Sequence, residues 1–574
     1  MGQTCSYIFV QPGDSCGALA SRCGISGAQF TQYNPGSDFC SRLMPKQPVC
    51  CSEGALPDLK PKQNADGTCA SYVVQPGEYC SLVAENHYIS VTDIEAYNGK
   101  TWGWNGCASL PQYANICLSP GDPPMPSAIE NAVCGPQVSG TARPSDWSQI
   151  QSLNPCPLNA CCNTWGQCGI TPEFCTRSPS STGAPGTTGC ISNCGTKIAS
   201  SPSPPAQFLK VGYFEAFNAE RPCLNMRADQ IPSGYTHIHF SFGGVTPDFA
   251  VDLSAHQAEF ELFAKQTGFK RVLAFGGWSF STGGDSAPIF RDGVTNANRL
   301  AFARSVAAVV QQYNLDGVDF DWEYPGSADI PGSSPQDGAN YLAFLKMVRS
   351  LLPTNKTISL AAPASFWYLQ GFPIADMAPV LDYIVYMTYD LHGQWDYDSR
   401  GSQDGCPSGR GDCLRSHVNL TETNYALAML TKAGVPSTKV VVGLASYGRS
   451  FKMASPTCRR GPTCRYQGPD SAASPGRCTG SRGIIAQAEI EEIIGARQPG
   501  VYSWHDEASD SDMVQYDTDS WAAYMSEGTK VSRRALYQGL NFGGSAEWAV
   551  DLAAFLPGEG GNGVGVGDVC DADG

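Results

Sequence analysis

From Phe208 onward the chain alternates short apolar runs with longer stretches of helical period. Eight runs read as buried strands: Leu209–Phe214, Tyr235–Phe242, Arg271–Phe275, Leu315–Phe320, Thr357–Ala362, Leu381–Thr388, Lys439–Ala445 and Leu540–Trp548. Helical segments lie between them. One runs from Tyr341 to Leu352 and carries Leu342, Leu345, Val348 and Leu352 on a single stripe. Strands alternating with helices eight times predict an α/β fold, a closed (β/α)8 or TIM barrel over residues 208–556. The gap 452–537 is too long for a plain loop. It carries its own patterns at Ala488-Glu489-Ile490 and Tyr516–Tyr524, which predict an inserted α+β subdomain walling one side of a cleft.

Before residue 208 the elements are shorter and the cysteines denser. Residues 5–51 and 69–118 are imperfect repeats, each with an alternating strand, a Pro-Gly turn and a helix, Cys16 to Cys23 and Cys80 to Asn86. Both repeats then reach an Asn in a loop, Asn34-Pro35 and Asn98-Gly99. Segments 52–68 and 119–133 read as linkers. A unit with eight cysteines follows at 134–195, then a Ser/Pro-rich linker at 196–207; a Gly-rich tail covers 557–574.

Composition narrows the class. The 574 residues carry a formal charge of −16, which argues against nucleic acid and suits a neutral polymer such as a polysaccharide. Of 25 cysteines, 18 precede residue 200, in units too small to hold a core without cross-links. An exported protein is expected, with Asn355 and Asn419 as glycosylation acceptors. No apolar leader precedes Cys5, so the expectation is a mature or truncated chain, and no run is long enough to span a membrane. An odd cysteine count leaves one thiol free or bonded to a partner, and Cys223, remote in sequence from the others, is the candidate, with Cys570 as a second.

The candidate chemistry lies in Asp316–Pro325, DGVDFDWEYP. On a strand, Asp319, Asp321 and Glu323 share one face while Val318, Phe320 and Trp322 point into an apolar layer. Crowded carboxyls raise at least one pKa, which suits acid–base work. A calcium loop would place Gly and Asn between its acids instead. The run is the fourth strand, so Glu323 is expected last and highest at the C-terminal rim, kept protonated by Asp321. Asp319 is expected deeper, holding a shared proton and orienting Asp321.

These residues resemble a family-18 glycoside hydrolase, a chitinase, across 208–556. The Asp-x-x-Asp-x-Asp-x-Glu pattern is complete; Met387-Thr388-Tyr389-Asp390 matches the sixth strand, Tyr447-Gly448-Arg449 the seventh and Trp548 the eighth. Tyr213, Trp278 and Tyr324 match further cleft residues, while Ala274 stands where the family usually has Ser, and Phe217 where it has Trp. The resemblance implies retaining, substrate-assisted hydrolysis of β-1,4 N-acetylglucosamine linkages, with Glu323 as proton donor. Asp321 and Tyr389 would hold the acetamido group over Trp548, and no metal or other cofactor is implied.

The repeats resemble LysM modules, which implies sugar-binding loops at Gly13, Asp14, Ser15, Asn34 and Pro35, and at Gly77, Glu78, Tyr79 and Asn98. The eight-cysteine unit resembles a hevein-type chitin-binding module with Trp165 and Phe174 stacking on sugars and Asn163 gripping the acetamido group. Gln167 replaces a usual aromatic there. The expected partners are thus chitin and N-acetylglucosamine oligomers. Competing readings are a chitin lectin, a killer-toxin α-subunit-like protein docking a disulfide-linked partner, and an endoglycosidase acting on N-glycans.

Overall fold

The structure, a computed structural model, describes residues 3–177, 184–399, 403 and 405–558. It divides into two compact units, one of Met1–Cys156, Cys161–Cys168 and Glu173–Gly195, the other of Pro157–Ala160, Gly169–Pro172 and Thr196–Gly574.

The second unit is built on eight parallel strands: β1 Leu209–Glu215, β2 His237–Val245, β3 Lys270–Gly276, β4 Gly317–Asp321, β5 Thr357–Pro363, β6 Tyr383–Met387, β7 Val440–Ala445 and β8 Gly544–Trp548. Each pairs with the next, and β8 pairs with β1, so the barrel closes. All eight expected strands are present.

Alternation along β4 divides its side chains as the sequence implied. Val318, Phe320 and the following Trp322 pack outward among Phe275, Phe290, Tyr341 and Phe344, with ring centroids 5.1 Å apart for Phe320–Phe344 and 5.4 Å for Trp322–Tyr341. Asp319 points inward, where the barrel is lined by Val211, Tyr213, Ala274, Tyr383, Val385 and Ala546 together with buried His239 and Ser359. Asp316 belongs to neither layer. It lies before β4 and accepts from the backbone and Nε of Arg271 at 2.9 and 3.0 Å, a structural tie between β3 and β4.

The inserted subdomain starts earlier and ends earlier than its expected bounds of 452–537. Its five-stranded antiparallel sheet begins with Tyr447–Lys452, one residue after β7, and runs to Ser520–Tyr524, with helix Gln487–Gly495 on the way. The following helix, Glu527–Gly539, leads into β8. Tyr447-Gly448-Arg449 reads as the rim of the seventh strand because the turn between the two strands is only Ser446, too short to leave a loop signature.

In the first unit, the two repeats fold alike. A strand (Tyr7–Phe9; Ser71–Val73) pairs with the last strand of its repeat (Pro48–Cys50; Asn115–Cys117) around two helices. Disulfides 5–50, 16–40 and 23–51 hold the first repeat, and 69–117 and 80–107 the second. The eight-cysteine unit carries a three-stranded sheet and bridges 134–162, 156–168, 161–175 and 190–194.

Cys223 is not free: it is bonded to Cys478. Sequence distance misled here, because the two cysteines are 255 residues apart. Cys570 and most of the Gly-rich tail lie outside the described residues. Among the described residues no helix is long and apolar enough to cross a membrane.

Candidate active site

At the C-terminal rim the acids of the β4 segment separate by depth and by charge. Asp319 is fully buried and accepts from the Tyr213 hydroxyl of β1 at 2.9 Å and the Ser359 hydroxyl of β5 at 2.6 Å, with His239 Nδ1 of β2 at 3.3 Å. His239 Nε2 lies 2.7 Å from the Tyr383 hydroxyl of β6. Burial is the largest influence on Asp319 and works to raise its pKa. His239, Ser359 and Tyr213 together outweigh it and hold the carboxyl below the ordinary range.

Asp321 is the opposite case. It is buried, its Oδ1 has no hydrogen-bond partner among the described residues, and burial followed by the charges of Glu323 and Asp319 pushes its pKa well above the usual value. Burial and these charges thus favour the protonated form of Asp321, whereas Asp319 is held toward its anion, the reverse of the expectation from depth alone. Sequence spacing could not show the three donors that strands β1, β2 and β5 aim at Asp319.

Glu323 lies beyond β4, which ends at Asp321, so it is not the last strand residue. Its backbone N–H donates to Ser281 Oγ at 3.0 Å. Burial and then the charge of Asp390 raise its pKa to about 7, while a hydrogen bond with Tyr324 works the other way. Glu323 and Asp321 also act on each other, each charge disfavouring ionisation of the other carboxyl.

The remaining predicted cleft residues gather from other strand ends. Met387 closes β6, and Tyr389 and Asp390 follow it. Asp390 accepts from Tyr447 Oη at 2.6 Å and Arg449 Nε at 2.8 Å, so the first strand of the inserted subdomain is tied to the rim of β6. Trp548 closes β8, its ring 5.1 Å from Tyr213 and 5.8 Å from Phe242. Trp278, 54% exposed, stands 6.4 Å from Tyr324. Two glycines place it: Gly276 and Gly277 have φ of 111° and 83°, and a Cβ on Gly276 would lie 2.0 Å from the Asp321 carbonyl oxygen. Asp390, Tyr447, Arg449 and Trp548 line a cavity of about 460 Å³ with residues of the β1 loop and the inserted subdomain.

Sequence reasoning missed several residues. His239, Ser359 and Tyr383 have no motif, and their only signal is a polar side chain at an inward strand position. Trp367 and Trp395, 55% and 47% exposed, follow the ends of β5 and β6. The Arg449 guanidinium lies 4.8 Å over the Trp395 ring.

In the first unit the loop residues divide differently from expectation. Asn34 and Asn98 are buried and saturated. Asn98 Nδ2 donates to the carbonyls of Ile94 and Cys117, both at 2.8 Å, and its Oδ1 accepts from Cys117 N–H at 2.7 Å and Thr101 Oγ1 at 2.8 Å. Asn34 repeats the pattern on Phe30 and Cys50. Both pin a helix end to the last strand and do not face a ligand. Asp14 and Glu78 likewise accept from Gln11 and Gln75 N–H, closing the turns at Gly13 and Gly77, where φ is 85° and 82°. Asn98→Ala should therefore cost about 2–3 kcal/mol, because it leaves buried backbone groups of Cys117 unpaired. The check is calorimetry of the full chain; an unchanged unfolding trace with weakened chitin binding would return Asn98 to a ligand role.

Trp165 is 67% exposed, whereas Phe174 is half-buried against the cystine cluster. Asn163 Oδ1 accepts from the N–H groups of Trp165 and Gln167, both at 3.0 Å, so that oxygen shapes the turn.

Comparison with known proteins agrees with this geometry. The family model described as Glycosyl hydrolases family 18 matches residues 210–553, and the LysM domain model matches 9–51 and 72–101. "Probable chitinase LysM18" of Penicillium expansum is 50% identical over 571 residues, covering 96% of this chain and 39% of that protein. "Secreted chitinase LysM12" of the same organism is 48% identical, covering 96% and 37%. "Killer toxin subunits alpha/beta" of Kluyveromyces lactis is 38% identical, covering 96% and 45%. The chain thus spans less than half the length of these relatives. Among solved structures, the second catalytic domain of Ostrinia furnacalis Group II chitinase superposes with a TM-score of 0.52 at 23% identity, over 60% of this chain and 90% of that one. That likeness concerns the fold.

Proposed function

As the chain belongs to glycosyl hydrolases family 18, with two LysM domains ahead of the barrel, we propose that it is an exported chitinase that cleaves β-1,4 N-acetylglucosamine linkages with retention. The observation that carries the mechanism is the unpartnered, buried Oδ1 of Asp321 beside a carboxylic acid tuned to about 7. An acetamido N–H would find its acceptor in that oxygen. The acetamido oxygen, held by Tyr389, attacks its own anomeric carbon while Glu323 gives its proton to the leaving oxygen, forming an oxazolinium ion. Water then opens the ion with Glu323 acting as base, and the product keeps the β configuration. Trp548 supports the sugar from below. Asp319, anionic and buried, stabilises the positive charge that develops above it. Trp278 and Trp367 extend the cleft as stacking surfaces.

The LysM modules would collect the polymer, and the eight-cysteine unit would act as a hevein-type module whose exposed Trp165 stacks on sugar. Twelve disulfides among the described residues support export, as does the similarity to a relative named as secreted. With Cys223 paired, no described cysteine supports a disulfide-linked partner.

The test compares N-acetylglucosamine oligomers with their fully deacetylated counterparts, the first-formed anomer being followed by NMR. The expected result is β-anomer from the first and no cleavage of the second. Equal cleavage of both would sink the substrate-assisted route, because the deacetylated sugar has no internal nucleophile.

A further inference from the structure

Two walls of the cleft beyond Trp548 come from segments far apart in sequence. The β1 loop contributes Phe217, Glu220 and Arg221; the inserted subdomain contributes Thr479, Gly480 and Ser481. Each wall abuts a cysteine, and the two cysteines are joined. Cys223, two residues after Arg221, is bonded to Cys478, which immediately precedes Thr479 and is fully buried.

Both walls are locally ordered before the bond is considered. In the β1 loop, Asn225 Nδ2 donates to the carbonyls of Asn218 and Arg221 at 2.7 and 3.0 Å, and Asn218 Nδ2 donates to that of Met226 at 2.7 Å. Arg221 anchors this loop to the barrel through Glu215 and through Asp551, the latter at 2.6 Å. In the opposite wall, Gly480 N–H donates to the Gly476 carbonyl at 2.9 Å and Thr479 Oγ1 to that of Ile484 at 2.7 Å. The disulfide thus joins two preformed pieces from behind, in the core against which both walls rest. It does not staple a loop that would otherwise be shapeless.

We propose that the Cys223–Cys478 disulfide is a specificity-determining brace that fixes how much of the glycan fits on the glycon side of the scissile bond, and so sets product length. This rests on the chitinase reading given above. The glycon side follows from the chemistry: the sugar over Trp548, whose acetamido group meets Asp321, is the one whose glycosidic bond breaks. The cavity lined by Asp390, Arg449 and the braced walls continues from that sugar. Trp278 and Tyr324, the latter next to Glu323, have rings 6.4 Å apart and are assigned on this reading to the leaving-group side. A slot of fixed width holds a bound chain in one register at little ordering cost, whereas walls free to shift would admit several registers.

The experiment measures initial products from the N-acetylglucosamine hexamer for the native chain, a Cys223→Ser/Cys478→Ser double variant, and Ser481→Trp with the disulfide intact. For the double variant, KM should rise by roughly tenfold, with a broadened product distribution. Ser481→Trp fills the slot without touching the bond and should shift products toward shorter glycon fragments. If the Ser pair does not fold, Cys223→Ala/Cys478→Val, which keeps this buried site apolar, takes its place. Native product ratios in Ser481→Trp, or in a folded double variant that merely melts at a lower temperature, would overturn the brace and leave the bond a structural staple. A native chain inactive on the hexamer would overturn the chitinase reading and the brace with it.

Discussion

Glu323→Gln is expected to lower hydrolysis of N-acetylglucosamine oligomers by about 10²–10⁴-fold, the span over which a positioned general acid contributes. Retention on insoluble chitin should be unchanged. The substitution keeps the shape of the side chain and leaves the backbone bond from residue 323 to Ser281 Oγ in place. Only the transferable proton is lost. On the proposed reading, binding rests on other groups: the LysM modules and Trp165 belong to a different compact unit from Glu323, and the cleft rings would stack on sugar without it. The same variant should be more thermostable than the native chain above about pH 7. Burial raises the folded-state pKa of Glu323 to about 7, so its contribution to stability is complete below the unfolded-state pKa and is lost as pH rises through 7. Gln never ionises and escapes that loss. A residual rate within about tenfold of native would mean that Glu323 is not the proton donor, since so small a loss is below what a general acid supplies.

How much of this was legible in the sequence depended on whether the signal was local. The barrel strands were, because each buried run carries its own apolar pattern, and so was the division of β4 into an apolar layer and an acidic one. What the acids do to one another was not. Depth order alone gave the proton to Asp319, yet Tyr213, His239 and Ser359 converge on that carboxylate from three other strands. Convergence of that kind leaves no trace in spacing. Asn34 and Asn98 show the reverse error. An Asn in a Gly- or Pro-bearing loop looks available to a ligand, but here each is buried by a strand that returns 16 or 19 residues later to use its amide. Cys223 failed for the same reason across a far longer separation. The inserted subdomain was visible as excess length, whereas its first strand was hidden by an abrupt turn at Ser446.

The second large effect is on pH dependence. The rate on N-acetylglucosamine oligomers, read as kcat/KM, should fall about tenfold per pH unit once pH has risen past about 7, as Glu323 loses the proton it must donate. Burial is the main cause of that value, and Asp390 is the charge that adds to it. Asp390 is itself ionised, held well below the ordinary carboxylate range against its burial by Arg449 and His417. Asp390→Asn should therefore move the alkaline limb toward acid. Removing the anion lowers the pKa of Glu323, and the Arg449 cation it leaves uncompensated pulls in the same direction. The hydrogen bond with Tyr324 already favours ionised Glu323 and does not oppose the shift. Loss of the Asp390 ties to Tyr447 and Arg449 will also raise KM, but a change in binding alone scales the profile without displacing its limb. A limb that stays in place in Asp390→Asn would assign the elevated pKa to burial alone. A native rate that keeps rising beyond pH 8 would remove Glu323 from the role of acid.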